Sequence, residues 1–147
     1  MALCLHDMAD LDPSHHVFRH IKQSWLDGDF LDPAAFRLRT EHNGQLEEGL
    51  SVNWVEYFEK PTPKDAIPEL RGVFEKKGRK LGGQSKFALL NVGAVKASAA
   101  VHSAITVVLD AEPDDLSHSL VKGYEAHNDQ VAEEIAKVVI GTYPVKP

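Results

Sequence analysis

The segment LSVNWV at residues 50–55 decides the class of the fold. Its apolar side chains alternate with Ser51 and Asn53 before two apolar residues end the segment, and this period of two is typical of a strand with one buried face. Towards the N-terminus, the Val, Phe and Ile side chains within residues 17–21 predict another short strand. A turn signal, Asp-Gly-Asp at residues 27–29, lies between the two predicted strands.

A central helix is predicted after the helix breaker Pro-Thr-Pro at residues 61–63. Leu70, Val73 and Phe74 have the spacing of one helix face, and either Gly78 or the Gly82-Gly83 pair is expected to end the helix. Basic residues gather at the C-terminal end of this helix, where cations complement the helix dipole.

The clearest helix is predicted near the C-terminus, from about residue 129 to residue 140. Asn128 or Asp129 is expected to cap its start, and Gly141 is expected to end it. Its apolar residues repeat at helical spacing, as in an amphipathic helix packed on a sheet: Val131, Ile135, Val138 and Val139.

Three further segments are predicted to be strands: residues 87–95, 105–109 and 119–124. The first is almost continuously apolar, and its Ala-rich end is equally compatible with a helix. Strands on both sides of one central helix favour an α+β fold. We therefore predict a single mixed β-sheet, with the central helix and the C-terminal amphipathic helix packed on one face.

The length and composition are those of a globular protein with one core. The chain has 147 residues, of which 43% are hydrophobic and 26% charged. We predict a single α+β domain at residues 15–147, preceded by a loosely ordered lead-in at residues 1–14. No apolar run is long enough to cross a membrane, no secretion signal is evident, and Cys4 has no internal partner for a disulfide. These features favour a cytoplasmic location.

The charge is segregated along the chain. The formal net charge is −6, yet residues 60–96 contain nine Lys and Arg against three acids. Such an uneven distribution can steer a charged partner. Four of these residues are the predicted partner-binding patch: Lys76, Lys77, Arg79 and Lys80. Nucleic acid is not the predicted partner, because no aromatic side chains lie among these cations and the pI is about 5.7.

His118 is the best candidate for a general acid or base. Asp110, Asp114 and Asp115 precede it closely, and a carboxylate could orient its imidazole. The same residue types could ligate a hard cation, but their spacing matches no metal template, and no metal site is predicted. No Gly-x-Ser-x-Gly motif is present.

A second group of polar residues lies on the first two predicted strands: Arg19 and His20 on one, and Ser51, Asn53 and Tyr57 on or just after the other. An early-strand arginine followed by a serine-containing strand resembles NAD-consuming ADP-ribosyl-transferase-like domains. The resemblance covers about a third of the chain. It implies a nucleotide-like substrate held by Arg19, with Glu125 as the candidate for a late catalytic acid.

The whole chain also resembles a family of small bacterial proteins. The resemblance is carried by three short motifs, which are Phe18-Arg19, residues 50–52 and residues 118–121. It implies no particular activity.

Two hypotheses for the function follow. The first is a cytoplasmic binding or accessory protein that engages a protein partner through either its acidic surface or the basic central segment, without a cofactor. The second is an enzyme acting on a nucleotide-like substrate, with Arg19 as anion anchor, Ser51 beside it and His118 as general acid or base; it requires these three residues to meet at one pocket. A scaffold that forms a homo-oligomer through an open sheet edge is a third possibility.

Overall fold

The computed structural model describes residues 9–39, 47–126 and 128–146. Within these ranges the chain forms three α-helices, a six-stranded sheet and a small two-stranded sheet. The helices are α1 (Ile67–Lys76), α2 (Val92–Ala99) and α3 (Asp129–Lys137). The strands are β1 (His16–Ile21), β2 (Leu26–Asp27), β3 (Phe30–Leu31), β4 (Leu50–Trp54), β5 (Lys86–Asn91), β6 (Thr106–Leu109), β7 (His118–Lys122) and β8 (Gly141–Pro144).

The main sheet has the order β6-β7-β4-β1-β5-β8, and β2 pairs with β3 in a separate hairpin. The α+β class is confirmed. All five pairings of the main sheet are antiparallel, so the expected mixture of strand directions is not observed. Antiparallel strands can be joined by short hairpin connections, whereas parallel strands need a long crossover connection.

The sheet buries both of its faces, because successive side chains of a strand point to opposite sides. On β1, Val17 and Ile21 belong to one hydrophobic cluster, which includes residues of α2 and α3. Phe18 belongs to a second cluster, which includes residues of α1. The central helix and the C-terminal helix therefore lie on opposite faces of the sheet, and not on one face as predicted.

Helix α1 follows a short 3-10 helix (Pro63–Ala66) whose start is capped by Thr62. Its buried residues Ile67, Leu70 and Phe74 pack on the sheet. The helix ends at the first of the two predicted stop signals, because Gly78 adopts a φ of 74°, a left-handed conformation that favours glycine.

The segment at residues 87–95 contains a strand and a helix. Strand β5 ends at Asn91, whose side-chain oxygen accepts a hydrogen bond from the Ala94 N–H and so caps α2. The prediction of one continuous strand is therefore wrong at its C-terminal end, where the helical alternative for the Ala-rich stretch is the one observed. An apolar run that is buried throughout lacks the periodicity that would mark this change.

Helix α3 is amphipathic and capped by Asn128, as predicted, but it ends at Lys137. The chain then returns to the sheet as β8, which was not predicted and which pairs with β5. Gly141 therefore begins a strand instead of ending the helix.

Part of the predicted lead-in is attached to the sheet edge. The carbonyl of Ala9 accepts a hydrogen bond from Leu109, the N–H of Leu11 donates to Val107, and Leu11 is buried. Residues 1–8 lie outside the described residues, and the division of the chain at residue 14 stays a prediction.

Candidate functional site

The candidate site begins where two central strands separate. Strands β1 and β4 pair at one end only, with Val17 opposite Trp54 and Phe18 opposite Asn53. Farther along, the buried Arg19 side chain lies between them. Its Nε donates to the Ala35 carbonyl at 2.9 Å and its Nη1 to the Ser51 carbonyl at 3.0 Å.

A cavity of about 300 Å³ opens at this point, on the side of the sheet that α1 covers. We call it the basic cavity. The described residues that line it come from β1 and the segment after it, the segment between β3 and β4, β4, the end of α1 and the residues that follow it, the β6–β7 connection and β7: Arg19, His20, Lys22, Trp25, Arg39, Ser51, Asn53, Phe74, Lys77, Arg79, Glu112 and His118.

Positive charge dominates this lining. Five of the residues are cationic, and Glu112 is the one carboxylate among the described lining residues. Burial, and then repulsion from Arg39, lowers the pKa of Arg19 to about 10, which still leaves it charged at neutral pH. Partial burial and the same repulsion lower the pKa of Arg79. The cations therefore destabilise one another.

The two arginines also lack acidic partners. No ion pair joins Arg19 or Arg79 to a carboxylate in the described ranges. Arg79 instead lies over the Phe74 ring, with 4.8 Å between its Cζ atom and the ring centroid. Trp25 contacts three cations in a similar way, with Lys22 the nearest at 4.9 Å.

His118 connects a serine to an acid at one end of the basic cavity. Its Nε2 lies 3.3 Å from Ser51 Oγ, and its Nδ1 lies 3.3 Å from Asp110 Oδ2 and 3.1 Å from the Asp110 carbonyl oxygen. With Nδ1 protonated, the imidazole donates to Asp110, and Nε2 is free to accept the Ser51 hydroxyl proton. This tautomer is assigned from the hydrogen-bond partners.

A buried carboxylate supports the neighbouring residues. Asp115 accepts from Asn53 Nδ2 at 2.9 Å and from Ser117 Oγ at 2.9 Å, and it pairs with Lys77 Nζ at 3.1 Å. Lys77 also pairs with Glu112 at 3.4 Å. These contacts fix both Asn53 and Lys77 at the cavity wall and neutralise much of the Lys77 charge.

His20 lies in the wall as a neutral side chain. Burial, and then repulsion from Arg79, Arg19 and Lys22, lowers its pKa to about 4. Its ring packs edge-on against Phe74 and Phe87, and its buried Nε2 has no hydrogen-bond partner within the part of the chain that the structure describes.

The structure brings together most, but not all, of the predicted site residues. Arg19, Ser51 and His118 line the same cavity, and so do Asn53, Lys77 and Arg79. The remaining three do not: Lys76 and Lys80 are exposed, and Tyr57 lies beyond the end of β4 against Phe58. Glu125, the acid implied by the resemblance, is exposed and is not among the described lining residues.

Sequence reasoning missed five contributors to the lining. Phe74 was predicted only as part of the apolar face of the central helix, and the other four are Lys22, Trp25, Arg39 and Glu112. These four lie in connecting segments, where no periodicity indicates the direction of a side chain. The available signal was weak. It consisted of a lysine and a tryptophan directly after the Arg19 strand, and of the run of acids before His118.

One group of side chains has the composition of a metal site. Single ligand atoms of Asp110, Glu112 and His118 lie within 4.8 Å of one another. Carboxylates and imidazole suit a divalent cation. However, the Lys77 ammonium already pairs with Glu112, and Nδ1, the imidazole atom that faces both acids, is the one hydrogen-bonded to Asp110.

Comparisons with protein-family models, curated proteins and solved structures found no match for this chain. Among the described residues, no helix combines the length and apolar character needed to cross a bilayer. The geometry and charge of the basic cavity are therefore the main indications of function.

Proposed function

We propose that this protein binds a small anionic ligand, with phosphate or carboxylate groups, in the basic cavity. One observation carries the proposal: five cationic side chains line a single cavity that has one carboxylate among its described lining residues. Lys77 pairs with Glu112 and Asp115, and Arg39 lies 3.8 Å from Glu47, so the ligand would supply negative charge mainly to Arg19 and Arg79.

Arg19 is the most deeply buried cation among the described lining residues. A guanidinium that is only 6% exposed and has no ion pair with a described carboxylate has lost much of its hydration without receiving a counter-charge. Its two hydrogen bonds go to neutral carbonyls. A bound anion would relieve the repulsion among Arg19, Arg39 and Arg79 and would stabilise the folded state in proportion to its affinity.

The size of the basic cavity limits the ligand. At about 300 Å³ it falls at the lower end of the roughly 300–1,000 Å³ typical of ligand pockets. It suits a small dianion or the diphosphate portion of a larger molecule. A nucleotide-like substrate, the ligand of the enzyme hypothesis, could place its phosphates here with its base outside the cavity.

The accessory-protein hypothesis concerns a different surface. Lys76 and Lys80 are exposed, as a protein partner would require, but Lys77 is paired internally with Asp115 and Glu112. The four-residue basic patch is therefore divided between the cavity and the surface. Partner binding stays a prediction for the two exposed lysines, and the small-ligand proposal is the one that the cavity favours.

The proposal is tested by titrating the protein with pyrophosphate in a calorimeter, and with ADP-ribose as a nucleotide-like probe. Arg79→Gln is expected to weaken pyrophosphate binding about tenfold, because a charge-assisted hydrogen bond typically contributes about 1.5–3 kcal/mol. The matched control is Lys80→Gln, which removes a neighbouring positive charge outside the cavity and should leave the affinity within about twofold.

Equal weakening by Arg79→Gln and Lys80→Gln would indicate a general attraction to surface charge and would contradict the proposal. Failure of both probes, and of a dicarboxylate such as succinate, to bind would also contradict it. Tighter binding of ADP-ribose than of pyrophosphate would favour the nucleotide-like class.

A further inference from the structure

We propose that Ser51, His118 and Asp110 form an acyl-transfer centre, with Ser51 as nucleophile, His118 as general base and Asp110 as the residue that positions the imidazole. The substrate class is a carboxylic ester that also carries an anionic group. The inference rests on the proposed function, because the basic cavity has to hold that anionic group next to Ser51.

The register of three neighbouring strands explains why these residues meet. Asn53 of β4 is opposite His118 of β7, so Ser51, two residues along β4, is a diagonal neighbour of His118 on the same face. On the other side of β7, Asp110 follows β6 directly and its N–H donates to the His118 carbonyl. An imidazole on the central strand is thus flanked by a serine and a carboxylate.

The distances fit the expected roles. Ser51 Oγ and His118 Nε2 are 3.3 Å apart, slightly beyond an ideal hydrogen bond, as catalytic pairs often are before substrate binds. The Asp110 carbonyl oxygen is hydrogen-bonded to Nδ1 at 3.1 Å, and an oxygen of the Asp110 carboxylate lies 3.3 Å from the same atom. His118 itself is buried, whereas Ser51 is partly exposed and lines the basic cavity. Ser51, His118 and Asp110 therefore lie side by side in space, in the order nucleophile, base and positioning acid.

The same cavity supplies positive charge for the reaction. When a nucleophile attacks an ester carbonyl, negative charge develops on the carbonyl oxygen, and fixed donors in a partly enclosed site stabilise it. Ser51 lies in a strand and not at a helix start, so main-chain N–H groups of a helix are not the source. Guanidinium and ammonium groups of the lining take that role.

The reaction has two steps that balance. Ser51 Oγ bonds to the acyl carbon as its proton passes to His118 Nε2; the tetrahedral oxyanion then collapses, the bond to the leaving oxygen breaks, and His118 protonates the departing alcohol. Water next attacks the acyl-Ser51 ester while His118 Nε2 takes its proton, and that proton returns to Ser51 Oγ as the carboxylic acid leaves. Water is the co-reactant.

Acyl transfer suits this arrangement better than phosphoryl transfer does. In phosphoryl transfer the protein contributes mainly positioning and positive charge, and a hydrogen-bonded base is less important. An ester with a separate carboxylate or phosphate uses both parts of the site, since its anionic group contacts the cations while its carbonyl faces Ser51.

The first experiment compares para-acetoxybenzoate with phenyl acetate as substrates for the whole chain. Both are aryl acetates, and only the first carries a carboxylate, placed where it cannot attack its own ester. We expect the wild-type protein to hydrolyse para-acetoxybenzoate with the larger kcat/KM. Ser51→Ala and His118→Gln should each lower kcat by about 100-fold or more.

The roles of the remaining residues are separated by kinetics. Asp110→Asn should lower kcat by about tenfold with KM nearly unchanged, since the Asp110 carbonyl still holds Nδ1, and Asp110→Glu should restore part of the loss. Arg79→Gln should instead raise KM. The matched controls, Ser98→Ala on α2 and the exposed His102→Gln, should keep the wild-type rate.

A second measurement covers the case in which a variant does not fold. A fluorophosphonate probe should label the wild-type protein at Ser51, as located by peptide mass spectrometry, and pyrophosphate should block the labelling. Absence of labelling, or a rate that survives Ser51→Ala, would overturn the inference. So would a rate that requires added Zn²⁺ and is lost with a chelator, since the Asp110, Glu112 and His118 group would then be holding a metal.

Failure of this inference is distinguishable from failure of the proposed function. If pyrophosphate binds and Arg79→Gln weakens it, but no ester is cleaved, the basic cavity binds anions without acyl transfer. Hydrolysis that treats phenyl acetate and para-acetoxybenzoate alike would argue against the anionic substrate class.

Discussion

His20 shows how one residue can be altered by its surroundings. Its buried Nε2 has no hydrogen-bond partner among the described residues. Its burial and the cations around it make protonation unfavourable. The pKa of about 4, against an ordinary 6.5, means that the folded protein excludes a proton that the unfolded chain accepts. This difference in proton binding lowers the free energy of unfolding only at acidic pH.

We predict that His20→Phe makes the protein less sensitive to acid. Between the folded pKa of about 4 and the unfolded value of 6.5, the unfolded chain binds more protons, so the wild-type free energy of unfolding falls as the pH falls. A phenyl ring can pack against Phe74 and Phe87 without titrating. Urea unfolding at about pH 7 and about pH 5 measures the difference.

The exposed His102→Phe is the control, and it should keep the wild-type pH dependence. An identical loss of stability on acidification in His20→Phe and in the wild type would show that His20 does not exclude a proton.

At the scale of elements, the β5–α2 junction connects three parts of the molecule through Asn91. Its Oδ1 caps α2 through the Ala94 N–H, while its Nδ2 donates to the carbonyls of Pro13 and His15 at 3.1 and 3.2 Å. The side chain therefore holds both the start of a helix and the segment that leads into β1.

We predict that Asn91→Ala lowers the free energy of unfolding by about 2–3 kcal/mol, the sum of a lost cap and two lost acceptor partners. Asn128→Ala removes a simpler cap, a single hydrogen bond from Val131, and should cost about 1 kcal/mol. Chemical denaturation of both variants gives the comparison. Equal losses would mean that the Nδ2 contacts contribute nothing.

At the scale of the whole molecule, one sheet carries two separate cores. Leu70 of α1 and Ile135 of α3 are both fully buried, on opposite faces. Because side chains of the same strands contribute to both cores, loss of packing on one face of the sheet should also disrupt the packing on the other face.

We predict that Leu70→Ala and Ile135→Ala each lower the free energy of unfolding by about 2–5 kcal/mol and leave a single transition. Far-UV circular dichroism and tryptophan fluorescence should give coincident curves for each variant. A second transition in either variant would mean that one face melts independently of the other.

Several parts of this fold follow from local patterns. The alternation at residues 50–55 predicts β4, the apolar spacing at residues 131–135 predicts α3, and Gly78 is the first of the two glycine signals expected to end α1. Each pattern depends only on neighbours within a few residues, which is the range over which backbone periodicity and capping act. The β5–α2 boundary is not predicted, because the chain is apolar on both sides of Asn91. Strand β8 is not predicted either, because its four residues are too few to show a period.

For the candidate site, the enzyme hypothesis grouped Arg19, Ser51 and His118 at one pocket, but the sequence contains no information on the contacts that join them. Ser51 and His118 are 67 residues apart, and their contact depends on a strand register that places Asn53 opposite His118. A shift of one residue would turn Ser51 to the other face. Tyr57, in contrast, was grouped with them by proximity in sequence, and the end of β4 directs it elsewhere.

By itself, the sequence determined the α+β class, most of the elements and the concentration of positive charge between residues 60 and 96. Only the tertiary structure decided that helices cover both faces, that β1 and β4 separate beside Arg19, and that cations from distant segments line one cavity. The physical reason is range: periodicity and caps act within a few residues, whereas register and the meeting of distant side chains depend on which strands pair.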